Sequence, residues 1–293
     1  VNKQTGPVGA ISSELAQQLL NDSTNKPHEG RVYDYYLGGT SNYAADRVFG
    51  DQQIALLPDL PFASRQNRGF LRRAVQHMIA GGVRQFVDIG SGLPTQGTVH
   101  QIAERFAPGE CRVIYIDRDP VASAHSHLLL EGSGELERCR AINGDFAHHR
   151  ELWEAISDTG LIDQDEPVGL LMLALLHFLL DEINPQEGVA FFRKQVAPGS
   201  YLAISHATSD GMSTEAGARI AAVIKNYDSA STARMQNRDR TRIREFFGDW
   251  ELLDPPGIGW TPEWTVPGLE EVDAEGVTDL SRAQAVAGVA RKR

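Results

Sequence analysis

The sequence predicts an α/β protein with a doubly wound, mostly parallel sheet behind a helical N-terminal segment. Three observations carry the prediction. After Gly82, short apolar runs alternate with helical stretches, the pattern of successive strand–helix–strand units. The apolar run from Val168 to Leu176 is apolar nearly throughout rather than alternating, so both faces of such a sheet must be covered. The first run ends in Asp88-Ile-Gly90-Ser-Gly92, a tight turn that lets a ligand approach the backbone.

Composition bounds the rest. The 293 residues, 41% of them hydrophobic, suffice for one large core or a core with an attached subdomain. A net charge of -11, with 39 acids against 28 Lys and Arg, disfavours nucleic acid as a partner, because a broad basic footprint is missing. Cys111 and Cys139 have neither metal-type spacing nor a disulfide framework, which fits a reduced, cytoplasmic setting. No apolar run reaches the length of a membrane span, and residues 1–20 lack the pattern of an export signal. His125, His127, His148 and His149 lack carboxylate companions at ligand spacing, so no metal is expected.

In chain order, Ser12 or Ser13 caps a short helix with a leucine stripe, and residues 21–30 read as a linker. From Arg31 to Ala80 the pattern is helical, broken by Gly38-Gly39, Pro58 and Pro61. The clearest helix runs from Ser64 to Ala80 and stops at Gly81-Gly82. Strand candidates follow at 83–90, 111–119, 139–146, 167–178 and 200–207, with helices over 95–107, 119–131, 148–158 and 185–196. The tail adds helices over 212–227 and within 238–250, then strands over 250–258 and 284–292. Residues 259–283, rich in Pro, Gly, Trp and acids, read as a loop over a sheet edge or a site mouth.

A parallel sheet of this kind binds ligands beyond the carboxyl ends of its strands, so the residues that end each run matter most. Asp88, Gly90 and Gly92 form the first turn, and the next helix aims its N–H groups at whatever sits there. Two ligand classes fit, a dinucleotide or S-adenosylmethionine. A dinucleotide fingerprint asks for a third glycine where this chain has Thr95. Asp117, ending the second run, is placed to accept both ribose hydroxyls, while Asp119 caps the following helix. In the third run, Asp145 beside Phe146 suits an adenine, the acid accepting from the amine and the ring packing on the base. A helix N-cap at Asp145 is the alternative. His177 ends the fourth run as a general base or a partner for the ligand's amino acid end. His206 ends the fifth with the same ambiguity.

Together these residues resemble a class I S-adenosylmethionine-dependent methyltransferase, over about residues 70–293. The resemblance implies a Rossmann-like seven-stranded sheet whose last strand is antiparallel and inserted between the fifth and sixth. The N-terminal part narrows it. Tyr33-Asp34-Tyr35, Leu37-Gly38-Gly39, Asn42, Asp46-Arg47 and Asn67-Arg68 look like the signature of an actinobacterial family of candidate methyltransferases, long catalogued as a domain of unknown function. The implied organisation is an N-terminal helical extension or lid at 1–69 and the Rossmann-like domain at 70–293. The implied cofactor is S-adenosyl-L-methionine. Four of the seven tyrosines fall between residues 33 and 43. Tyr33, Asn42, Tyr43 and Arg47 therefore read as lid or substrate residues, since aromatics with polar tips near a glycine hinge suit a lid that excludes water.

Methyl transfer asks the protein to align donor and acceptor, exclude water and, for a weakly acidic nucleophile, remove a proton. The candidate bases are His177, then Asp34, Tyr35 and His206. The expected function is methyl transfer to a small-molecule acceptor. The alternative is a non-catalytic sensor or partner module that binds the cofactor, and a nicotinamide-dependent oxidoreductase stands third. Asp117→Ala is expected to abolish cofactor binding and leave the apo melting temperature nearly unchanged.

Overall fold

The computed structural model describes residues 8–21, 26–93, 97–231, 233–254, 256–266 and 278–293. Five parallel strands form the centre of one sheet: β2 (Gln85–Ile89), β3 (Arg112–Asp117), β4 (Cys139–Asn143), β5 (Val168–Leu173) and β6 (Tyr201–Ala207). The short β1 (Gly9–Ala10) adds antiparallel to β4 at one edge. At the other side β9 (Ala285–Arg291) runs antiparallel to β6, and β7 (Glu251–Leu252) and β8 (Gly259–Trp260) both pair with it. The order is β1-β4-β3-β2-β5-β6-β9-β7. The late antiparallel strand thus lies between the fifth and sixth core strands, as the resemblance implies. The count exceeds seven because β1 and β8 are two-residue pairings.

The helices are α1 (Ser13–Asn21), α2 (Glu29–Tyr36), α3 (Ala44–Leu56), α4 (Leu60–Ala80), α5 (Val99–Phe106), α6 (Pro120–Gly132), α7 (His149–Asp158), α8 (Pro185–Gln195), α9 (Thr214–Ala230) and α10 (Arg240–Glu245). Successive strand residues point to opposite faces. Val87, Ile89, Ile114, Leu170 and Ile204 pack under α7 and α8 through Trp153, Ile156, Val189 and Phe192. Phe86, Val113, Leu171 and Ala203 pack under α4 and α5 through Phe70, Val75, Met78 and Ile102. Each such side chain, once buried, contributes about 1.5–3 kcal/mol, which is why the strands tolerate no polar face. A third cluster, with Val32, Tyr36, Phe49, Val223 and Tyr227, joins α2, α3 and α9 into a cap.

Three boundaries differ from the sequence expectation. Helix α2 begins inside the expected linker, capped by His28, whose side chain accepts the Gly30 N–H. Helix α4 begins at Leu60, before Ser64, because Pro61 falls in the first turn, where no intrahelical donor is needed. It then runs unbroken across residue 69, so the cap and the sheet share one helix. Strand β7 stops at Leu252, since Pro255, Pro256 and a Gly257 with φ +66° follow. Thr95 and the expected first turn of the 95–107 helix lie partly outside the described residues; α5 itself is capped by Thr98. Among the described residues no helix is long and apolar enough to cross a membrane.

Candidate functional site

The carboxyl ends of β2, β3, β4 and β5, with the end of β6 and the start of β9, open into one cleft of about 190 Å³. Helices α2, α4 and α9 supply its other walls. The turn after β2 makes the floor. Gly90 and Gly92 have φ of +76° and +62°, a conformation that side-chain-bearing residues rarely adopt. The N–H groups of Gly90 and Ser91 donate to the Ile116 carbonyl, and that of Gly92 donates to Asp117 Oδ2 at 2.8 Å. Helix α2 lies directly above: a Cβ on Gly30 would stand 3.4 Å from the Gly92 Cα.

Asp88, Asp117 and Asp145 line the cleft along the ends of β2, β3 and β4. Burial pushes the Asp88 carboxyl up to about 7, opposed by the Arg68 guanidinium and aided by Asp117. Burial also raises Asp117, with His28 pulling the other way. Asp117 is not a free ligand residue awaiting a ribose. Its Oδ1 accepts the Asp119 N–H at 2.8 Å while Oδ2 holds Gly92, so it builds the turn as well as facing the cleft. Asp119 caps α6 by accepting from Val121 and also takes Arg31 at 2.7 Å. Asp145 takes the N-cap alternative, accepting the Ala147 N–H at the turn Phe146–His148, and also lines the cleft. Phe146 reaches the cleft wall, but its ring packs in the core, 5.8 Å from the ring of Phe192 and against Gly188. The ring is thus shared between the cleft wall and the apolar space under α8.

His177 lines the cleft at the end of β5. Burial, His206 and Arg238 hold its imidazole well below the usual histidine range, so the ring is neutral at pH 7. Its Nδ1 accepts the Ala207 N–H at 3.3 Å, which leaves the proton on Nε2. Its remaining ring nitrogen is then a hydrogen-bond donor, the form asked of a partner for the ligand's amino acid end rather than of a general base. His206 is corrected too. It is fully buried, donates from Nδ1 to the Ala207 carbonyl at 2.7 Å and accepts Arg238 at 3.1 Å. Burial takes its imidazole down to about 3, and it is absent from the cleft wall.

Of the N-terminal candidates, Tyr33 alone lines the cleft. Its hydroxyl donates to the Ser64 carbonyl and accepts Asn67 Nδ2. Asp34 is buried, accepting Ser41 N–H and Asn42 Nδ2 to close the turn after α2. Its oxygens fill the space a Gly39 side chain would need. Asn42 in turn is held by Arg47 at 2.9 and 3.1 Å. Tyr35 donates to Asp51 at the surface, and Tyr43 packs under Arg31 at the start of α3. Asp34, Tyr35, Asn42, Tyr43 and Arg47 thus belong to the cap and do not line the cleft; Asp34, Asn42 and Arg47 hydrogen-bond in series.

Several cleft residues were not singled out from the sequence. Glu29 and Arg118 pair across the cleft wall through a charge-assisted hydrogen bond of 2.9 Å from the arginine Nε. Arg68 stands over the Tyr33 ring at 5.5 Å. Tyr36, Phe178, Tyr227, Met235 and Gln284 complete the wall. Arg238 lies behind it, fully buried, donating to the Leu176 and Leu179 carbonyls and to Asp181. Asn67 and Arg68 belonged to the N-terminal signature, and Tyr36 to the tyrosine cluster, so a signal existed for them. None marked Gln284 or Arg238.

The cleft residues fit S-adenosylmethionine. Ser91 Oγ at the turn and Arg68 Nε are buried in the wall without a hydrogen-bond partner among the described residues, and such groups are costly unless a ligand meets them. Acids follow one another along the ends of β2, β3 and β4, where a nucleoside with an amino acid tail would lie. The comparisons agree. A model of the S-adenosyl methyltransferase family matches residues 15–293. A DUF574 family protein from Streptomyces avermitilis is 33% identical, over 92% of this chain and 99% of its own, with a TM-score of 0.81. A protein from Thermobifida fusca, described as a candidate methyltransferase, is 28% identical over 92% and 97%, also with a TM-score of 0.81. No curated protein matches the sequence. A turn, an acid series and a whole-chain family match converge, and the chain belongs to the S-adenosyl methyltransferase family, with S-adenosylmethionine as its cofactor.

Proposed function

We propose that this methyltransferase acts on a small-molecule acceptor held in the same cleft. The observation that carries the reading is that the cleft continues past the acidic strand ends, beyond His177, into a region walled by Tyr36, Phe178, Val223 and Tyr227 under α2 and α9. That walled extension suits a compact molecule more than a polymer, whose backbone needs an open track. When bound, S-adenosylmethionine supplies the methyl group and the leaving thioether. The chain's own residues orient and enclose. The turn from Gly90 to Gly92, pinned to Asp117, fixes the floor, α2 roofs it through Gly30, and the aromatic walls exclude water. His177, neutral with its proton on Nε2, lines the cleft at the end of β5.

Calorimetric titration with S-adenosylhomocysteine first establishes the loaded protein. Release of S-adenosylhomocysteine from S-adenosylmethionine is then compared between a low-molecular-weight cell fraction and purified RNA, DNA and protein fractions. Release with the low-molecular-weight fraction alone is expected. Release only with a macromolecular fraction would overturn the reading.

A further inference from the structure

The charged and neutral parts of the cleft are sorted along the sheet. Three of its acids, Asp88, Asp117 and Asp145, sit at the ends of β2, β3 and β4, and a fourth, Glu29 of α2, is paired with Arg118. In the strand order these three are neighbours on one side of β5. On the other side, over β5, β6 and β9, the wall is Tyr36, Phe178, Tyr227, Met235 and Gln284, with Asn67 above from α4. None of these carries a charge. Tyr227 is held as a rigid wall, its ring 4.9 Å from Phe49 edge-on and 5.6 Å from Phe178.

Two amide oxygens in this lobe lack partners. Asn67 donates its Nδ2 to Tyr33, which leaves Oδ1 as an acceptor with nothing to accept. Gln284 Oε1 is likewise buried and unpartnered, on a residue held at φ +57° between the turn at Leu280–Ala283 and β9. Buried acceptors of this kind are matched by a ligand's own O–H or N–H. Of the cations in the wall, Arg118 is paired with Glu29, and Arg68 faces the Asp88 charge and the Tyr33 ring, its unpartnered Nε assigned above to the cofactor. Arg238 has its donors committed to carbonyls, Asp181 and His206.

We propose that the acceptor is an uncharged, planar aromatic molecule bearing hydroxyl or N–H donors, packed against the wall that Tyr36, Phe178 and Tyr227 form together and hydrogen-bonded to Asn67 Oδ1 and Gln284 Oε1. This rests on the small-molecule reading of the same cleft. Flat aromatic walls favour a flat aromatic guest. A carboxylate guest would be desolvated with no cation in the lobe to meet it. An ammonium guest would find aromatic faces, but Glu29, the carboxylate whose charge reaches Tyr227 and His177, is already paired with Arg118, and the guest would approach a methyl donor that is itself a cation.

The test uses the full-length protein loaded with S-adenosylhomocysteine and three probes sharing one ring system: naphthol, naphthoate and naphthylmethylammonium. Calorimetry is expected to show naphthol binding at least about tenfold tighter than either ion, the scale of an uncompensated desolvated charge or unmatched acceptor. Gln284→Asn withdraws the amide while keeping a residue that tolerates the positive φ. It is expected to weaken naphthol by about tenfold and leave S-adenosylhomocysteine unchanged. Equal or tighter binding of either ion, or binding of none of the three, overturns the proposal. Naphthol binding that Gln284→Asn leaves intact removes the hydrogen-bonding half of it. Failure of S-adenosylhomocysteine itself to bind is a different result, and speaks against the methyltransferase reading on which all this rests.

Discussion

At the end of β3, Asp117 accepts two backbone N–H groups, from Gly92 and from Asp119, each at 2.8 Å. The expectation that Asp117→Ala would spare the apo protein is therefore revised. Alanine leaves both donors without their acceptor, one at the floor of the cleft and one beside the start of α6. A lost acceptor costs about 1–3 kcal/mol where the donor stays buried. Asp117→Ala is expected to lower apo stability by about that amount in urea unfolding and to abolish binding of S-adenosylhomocysteine in calorimetry. Unchanged apo stability would mean that the turn holds its shape without Asp117. At this scale the strand-end acids were legible because a chain pattern alone places residues at strand ends. Direction was not. Asp34, Asn42 and Arg47 have the chemistry of a site, but their mutual hydrogen bonds close a turn. Composition does not distinguish a polar cluster that serves a ligand from one that serves itself.

Between elements, the segment from Ala233 to Arg238 straps the end of β5. The Gln236 N–H donates to the His177 carbonyl, and the Arg238 fork reaches the Leu176 and Leu179 carbonyls on either side of it. Arg238 also takes Asp181 and the His206 ring. His177 is thus held by a residue some sixty positions later in the chain, with no local pattern to announce it. Arg238→Met leaves the Leu176 and Leu179 carbonyls without their donor, while Asp181, half exposed, keeps Gln236 and Arg242; a loss of about 1–3 kcal/mol is expected in urea unfolding, as for buried acceptors left unsatisfied. Arg238→Lys should recover only part of it, since a single ammonium does not reproduce the planar fork. Full recovery by lysine would reduce the role of Arg238 to its charge. Elements themselves were read well where they are long and periodic, as in α4 and β2 to β6. Strands β1 and β8 escaped because two residues carry no period. Strand β7 was overread because its apolar letters run on into prolines that end pairing.

Over the whole molecule, the cap and the sheet meet at Arg31. It is 2% exposed and bridges Asp46 of α3 at 3.0 Å and Asp119, beyond β3, at 2.7 Å. Asp46 also accepts the His28 and Tyr43 N–H groups, so the starts of α2 and α3 hang on the same carboxylate. The pair Glu29 and Arg118 adds a second tie from α2 to the sheet. These charges lie under the roof of the cleft, and their arrangement makes the position of α2 over Gly92 a property of the sheet rather than of the cap alone. Arg31→Met strands two buried carboxylates, and a penalty of about 3–5 kcal/mol is expected. The penalty should fall on the cap first, because the sheet keeps both of its own apolar faces. Hydrogen exchange is the discriminating measurement. Amides of α2 and α3 should lose protection while those of β2 to β6 keep theirs, and S-adenosylhomocysteine should bind more weakly because Gly30 no longer covers the turn. Loss of protection in cap and sheet together would mean that the two unfold as one unit and that the roof does not open by itself. Retained protection in α2 would mean that Glu29 and Arg118 suffice to hold it, and that the triad at Arg31 is dispensable for closing the cleft.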